Sequence, residues 1–148
     1  MSDIPLENYC KYLENLTRED ISHLGIYVSD NIHFRDPFND CLGLENYKII
    51  LNDMFEHLEP FKFQVLEHSV VEEKRTGYIH WDLTLTLRPL NNQELKIDGI
   101  SRLTFDSNCK VMEHIDYWDA ASSLYEKIPF IGYLLKKVRK RISSELLD

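Results

Sequence analysis

The chain has 148 residues, 43% hydrophobic and 11% aromatic, which is the length of one domain and enough to bury roughly two-thirds of its unfolded surface. Its net charge of −8 is uneven: residues 1–119 hold 11 Lys/Arg against 22 Asp/Glu, whereas residues 120–148 hold 6 against 3. An acidic body with a basic tail excludes a nucleic-acid surface on the body, because phosphate neutralisation needs a basic face.

Met1 to Pro5 lack a basic n-region and an apolar h-region, and the longest apolar run, Ile128 to Leu135, is too short to span a bilayer, so a soluble, cytoplasmic protein is expected. Cys10, Cys41 and Cys109 are odd in number and widely spaced, and the six His show no ligand spacing. Reduced thiols, no metal and no cofactor are the expectation.

Leu6, Tyr9, Leu13 and Leu16 recur at helical spacing, and Thr17-Arg18-Glu19-Asp20 resembles a capping box opening a second helix with Ile21, Leu24 and Val28. Ile32 to Phe38 alternates as a strand. Asn39 to Gly43 reads as a loop, and Leu44, Tyr47, Leu51, Met54 and Leu58 mark a third helix that stops at Pro60. Four strand-like segments follow at 63–71, 77–88, 95–105 and 111–119, separated by short turns, which predicts an antiparallel meander. Helices first and a curled sheet afterwards is an α+β order, in which helices close one face of the sheet around a cavity. From Ala120 onward the composition is helical, interrupted at Pro129.

Period-2 geometry places Ile32, Phe34, Asp36 and Phe38 on one face of the first strand. A carboxylate aimed among apolar residues has its charged form disfavoured, as a general base at neutral pH requires. Alternatively, Asp36-Pro37 starts a turn whose backbone N–H groups the carboxylate binds.

Tyr12, followed by Tyr27-Val28-Ser29-Asp30-Asn31 and Phe34-Arg35-Asp36-Pro37, resembles the opening of ketosteroid isomerases and of the wider nuclear transport factor 2-like, or SnoaL-like, superfamily. The resemblance runs through Asp119. It implies a cone of three helices on a curved antiparallel sheet over residues 1–119; residues 120–148, which the resemblance does not explain, are expected from their composition as a C-terminal helical extension packed on the same domain. It also implies Asp36 as the general base and Tyr12 as a hydrogen-bond donor to an enolate oxygen. Ser101 stands where the isomerases have a neutral carboxylic acid, and a serine hydroxyl is a weaker donor.

Tyr78-Ile79-His80-Trp81-Asp82 and Glu113 to Asp119 are similar to the two strands that carry the Asp-Arg-Asp triad of limonene epoxide hydrolases. Asp82 and Asp116 match the carboxylates and His80 the arginine position. This resemblance implies that His80 and Asp82 face the cavity. The row Trp81, Leu83, Leu85 and Leu87 would then face outward, under a helix or a partner in a homodimer. Read from parity alone, the leucine row packs inward instead. On the last strand Met112, His114, Asp116 and Trp118 share a face, a polar and apolar mixture suited to a ligand pocket that Phe34 and Ser101 also line.

The expectation is metal-free acid/base catalysis on a small apolar molecule, by isomerisation, cyclisation or hydrolysis. The alternative is a binding protein for a small or lipid-like ligand that performs no reaction. In the tail, the apolar stretch 128–135 is expected to cap the open end of the cone while Lys136 to Arg141 pair with the acidic body; the other reading lays this basic amphipathic segment on an anionic membrane surface.

Overall fold

The computed structural model describes residues 3–143. Helix α1 (Leu6–Glu14) buries Leu6, Tyr9 and Cys10. The next segment, Glu19–Ile26, is a 3-10 helix rather than an α-helix. Ile21, Leu24 and Tyr27 are spaced by three, and the three-residue turn lines them up on the core side. Half of the expected capping box forms: the Asp20 carboxylate accepts the Thr17 backbone N–H, but the Thr17 hydroxyl donates to that carboxylate too and caps no backbone N–H, and the helix begins after Arg18 with no side-chain cap.

Strand β1 (Val28–Arg35) and the short β2 (Asp40–Leu42) form a hairpin and lead into α2 (Leu44–Leu58), which buries Tyr47, Leu51 and Phe55. Strands β3 (Phe61–Val71), β4 (Thr76–Leu87), β5 (Gln93–Phe105) and β6 (Val111–Trp118) follow. They form the antiparallel meander that the turns imply. The six-stranded sheet runs β2-β1-β6-β5-β4-β3, and β1 pairs with β6 in parallel. That pairing departs from a purely antiparallel sheet because the chain returns to β1 only after α2 and the whole meander, a connection long enough to bring β6 in beside it in the same direction.

Alternation along β4 and β5 sends Ile79, Trp81, Leu85, Leu95, Ile97 and Leu103 into the core under α1 and α2. The curved sheet carries three register shifts, between Val28 and His33 on β1, between Val65 and Glu67 on β3 and opposite Thr104/Phe105 on β6. Such bulges bend and twist a strand, and here they help one face wrap the helices.

The C-terminal part comprises a short α3 (Ala120–Ser123), a turn at Tyr125–Lys127 and α4 (Pro129–Ile142). The last five residues of the extension expected over 120–148 lie outside the described residues. α4 packs chiefly on the Tyr125–Lys127 turn. Gly132 makes that approach feasible, since a Cβ there would lie 2.2 Å from the Glu126 carbonyl oxygen. The expected capping of the cone by 128–135 is not what forms. Leu124 reaches the cavity, but Phe130, Ile131, Tyr133 and Leu134 are exposed. No described helix is long and apolar enough to cross a membrane.

Candidate active site

Between α1, α2 and the sheet lies a cavity of about 390 Å³, within the size range of small-molecule sites. Its walls are apolar: Leu13 on α1 and Leu16 just after it, Ile50 and Met54 on α2, Leu83 and Leu87 on β4, Ile97 on β5 and Trp118 on β6. Polar groups enter at few places, and one set is continuous. The Trp81 indole N–H donates to Ser101 Oγ at 2.8 Å, and the Ser101 hydroxyl donates to Asp116 Oδ1 at 2.5 Å. His114 Nε2 lies 2.8 Å from the same oxygen, and His114 Nδ1 lies 2.8 Å from the Tyr9 hydroxyl and 3.5 Å from that of Tyr47.

Each member is held by an identifiable local cause. Trp81 and Gly99 are opposite each other on β4 and β5, and the indole lies over the glycine so closely that a Cβ there would be 2.4 Å from the ring. Gly99 therefore lets Trp81 lie down toward Ser101, two residues along β5 on the same face. Ser101 in turn is paired with Asp116 on β6. Tyr9 projects from the core side of α1, and Tyr47 stacks on Phe34 at 4.4 Å.

Burial pushes both phenols well above their ordinary range, so Tyr9 and Tyr47 stay neutral. An Asp116 carboxylate can only accept, so His114 Nε2 donates to it, and in a neutral imidazole the bare Nδ1 then accepts from the Tyr9 hydroxyl. Ser101 and His114 are buried to 1% and 4% exposure, whereas Asp116 opens to the cavity. Asp116 Oδ2 accepts no hydrogen bond from the described residues. The arrangement thus presents one accessible carboxylate, oriented by two donors on its far oxygen, at the wall of an apolar cavity.

The residues singled out from sequence divide. Phe34, Ser101, His114, Asp116 and Trp118 all line the cavity, and Asp36 reaches it too. The Asp36 carboxylate is engaged with its own loop: Oδ1 accepts the backbone N–H of Phe38 and Asn39 at 2.7 Å, and the Asn39 amide bonds both oxygens. The turn that Asp-Pro permits is the one that forms.

His80 and Asp82 are not in the cavity. They sit on the outer face of β4, where His80 Nε2 pairs with Asp98 at 2.6 Å and Asp82 with Lys96 at 3.8 Å. The leucine row Trp81, Leu83, Leu85 and Leu87 faces inward instead, because the cavity needs an apolar wall and these side chains supply it. The same finding removes the exposed apolar row on which a homodimer was expected.

Met112 is also displaced. Thr104 pairs with Glu113 and Phe105 with Val111, so Met112 is the extra residue of a bulge and is turned to the exterior. Tyr12 lies off the cavity, donating its hydroxyl to the Asp20 carbonyl at 2.8 Å with its ring 4.4 Å from that of Tyr27. Tyr9, one turn earlier, is the tyrosine that reaches the polar chain. The signal for it was its place in the Leu6, Tyr9, Leu13 series, which Tyr12 does not share. Among the described residues no group of three or more His, Cys, Asp or Glu is placed to hold a metal ion.

A family model described as a SnoaL-like domain matches residues 10–114. The chain belongs to the SnoaL-like family. Solved structures agree on the nuclear transport factor 2-like fold. One is a SnoaL-like polyketide cyclase from Agrobacterium tumefaciens, 18% identical with a TM-score of 0.64, over 75% of this chain and 87% of that one. An NTF2-like protein of unknown function from Exiguobacterium is 16% identical with a TM-score of 0.65, over 77% and 97%. An LEH-like epoxide hydrolase from M. tuberculosis is 14% identical with a TM-score of 0.63, over 94% and 91%. No curated protein is similar in sequence to this SnoaL-like chain.

Proposed function

We propose that this SnoaL-like protein is a cofactor-independent enzyme that moves a proton on a small, largely apolar carbonyl compound, with Asp116 as the base. The observation that carries the reading is the Trp81–Ser101–Asp116–His114–Tyr9 chain, which converges on Oδ1 of a carboxylate lining the apolar cavity and leaves Oδ2 without a partner among the described residues. Two donors fixed on Oδ1 hold the carboxylate in one orientation, so Oδ2 is aimed before substrate arrives. Leu83, Leu87, Ile97 and Met54 exclude water from the substrate's apolar part and select against charged molecules.

The reaction class follows from what stands beside Asp116. Epoxide hydrolysis by paired carboxylates needs a second acid facing the first, and Asp82, the residue matched to that role, is on the outer face. Of the other carboxylates lining the cavity, Asp36 is bound into its loop and Asp53 is exposed. A lone oriented base suits removal of a proton from carbon next to a carbonyl, the step shared by isomerisation and aldol-type cyclisation.

The test is deuterium exchange at the α-carbon of small apolar cyclic ketones, followed by NMR in D2O. Native protein should accelerate exchange, and Asp116→Asn should lose roughly 100-fold or more of that acceleration while melting normally. Exchange that is equally fast with Asp116→Asn would exclude Asp116 as the base, and ketones that bind without exchanging would make this a binding protein.

A further inference from the structure

The apolar side of α4 has no partner within the described residues. Ile131, Leu134, Val138 and Ile142 recur at spacings of three and four and so form one stripe along the helix. They are 43%, 45%, 58% and 82% exposed, and Phe130 beside them is 73% exposed. The helix is held from another side: Gly132 sits against the Glu126 carbonyl, and Arg139 pairs with Glu126 at 2.5 Å and donates to Ser122 Oγ at 2.6 Å. Lys136, Lys137, Lys140 and Arg141 make no ion pair with the described residues, although the body carries a large acidic excess.

Both properties must be met by one occupant. A polyanion would satisfy the four lysine and arginine side chains but not the apolar stripe. A second copy offers acidic charge, and its outer sheet face exposes Tyr78, Ile100 and Tyr117, but these stand among the polar pairs His80 with Asp98, Lys96 with Asp82 and Arg102 with Glu113, which the stripe would have to bury. An anionic bilayer surface has negative headgroups and acyl chains stacked in depth, which is the order in which a helix with flanking cations and an apolar stripe presents them.

We propose that α4 docks this protein on an anionic lipid surface, with Ile131, Leu134, Val138 and Ile142 in the acyl boundary and Lys137 and Arg141 at the headgroups. The helix is about 21 Å long, three to four turns lying in the membrane plane rather than crossing it. The attachment is reversible and weakens with salt, because salt screens the attraction between the α4 cations and the anionic headgroups.

The full chain is tested by flotation with phosphatidylcholine vesicles containing about a quarter phosphatidylglycerol, and with phosphatidylcholine alone. Binding to the anionic vesicles should exceed binding to neutral ones by roughly tenfold, and the double variant Leu134→Asp, Val138→Asp should lose it by a similar factor. Both side chains are exposed, so the variant should melt like the native chain. As a second measurement, Val138→Trp, which places the indole on the stripe itself, should gain a blue-shifted emission component on anionic vesicles only. Three results would overturn the proposal: no vesicle binding by the native chain, equal binding by the double variant, or self-association in sedimentation that the double variant abolishes while vesicles remain unbound. Binding of duplex DNA by native and double-variant chains alike, with no vesicle binding, would equally assign the helix to polyanions.

Discussion

His114 and Asp116, two residues apart on one face of β6, share a hydrogen bond of 2.8 Å between Nε2 and Oδ1 in which the histidine is buried and the aspartate opens to the cavity. The strand therefore sorts the pair into a positioning group and an accessible one. Tyr9 fixes the histidine from behind, at 2.8 Å from Nδ1.

Removing that hydroxyl should be visible before any activity is measured. Tyr9→Phe leaves Nδ1 with Tyr47 alone, 3.5 Å away, and should cost about 1–3 kcal/mol of stability for the unsatisfied buried group. In the native chain, 15N NMR of the His114 ring should show a protonated Nε2 and an unprotonated Nδ1. In Tyr9→Phe the Nε2 proton should stay directed at Asp116 while the Nδ1 resonance moves with the loss of its donor, and an unchanged Nδ1 shift would mean that Tyr9 does not donate to it.

Gly99 is the support of the other end of the chain. Gly99→Ala would drive a methyl to about 2.4 Å from the Trp81 ring, so the indole must move off Ser101. Overpacking of this kind costs about 1–3 kcal/mol. The melting temperature should fall by several degrees and the Trp81 emission should shift. A native melt would show that the sheet absorbs the methyl by moving apart.

Asp36 should prove to hold a loop. Asp36→Ala removes the acceptor for the Phe38 and Asn39 N–H groups, and the loss should be about 1–2 kcal/mol in denaturant unfolding, with faster amide exchange confined to residues 37–40. Protection unchanged at Phe38 and Asn39 would contradict the assignment.

The pH response of the C-terminal part follows from Asp119. Hydrogen bonds from the Ser122 hydroxyl and backbone N–H hold its carboxyl below the ordinary value of 3.8. A depressed folded value means that the ionised carboxylate stabilises α3 above the unfolded value, and that this support is lost as pH falls through the folded one. Ser122 also carries Arg139, so acidification should loosen α4 together with α3. Ser122→Ala should return the Asp119 titration, read by carboxyl 13C shifts, toward 3.8; no movement would place the cause elsewhere.

Sequence by itself determined the α+β order, the helix at Leu44–Leu58, the spans of β3 to β6 to within a few residues and the SnoaL-like family, because hydrophobic periodicity and turn residues act locally and are written in the chain. By contrast, β2 formed in a segment that reads as a loop, and β1 began at Val28, expected in the helix before it. Strand parity put His114, Asp116 and Trp118 on one face of the last strand and the family resemblance put Ser101 beside them, and all four line the cavity. Tertiary structure alone decided which side of β4 is inside. Leucines on one side and His80 with Asp82 on the other are compatible with either orientation, until α1 and α2 cover the apolar side and leave the polar residues to pair with Asp98 and Lys96. The bulge at Met112 belongs to the pairing of β5 with β6, not to either strand. The choice of Tyr9 over Tyr12 likewise depends on where α1 meets β6, a contact 105 residues away along the chain, and no local pattern encodes a distance of that kind.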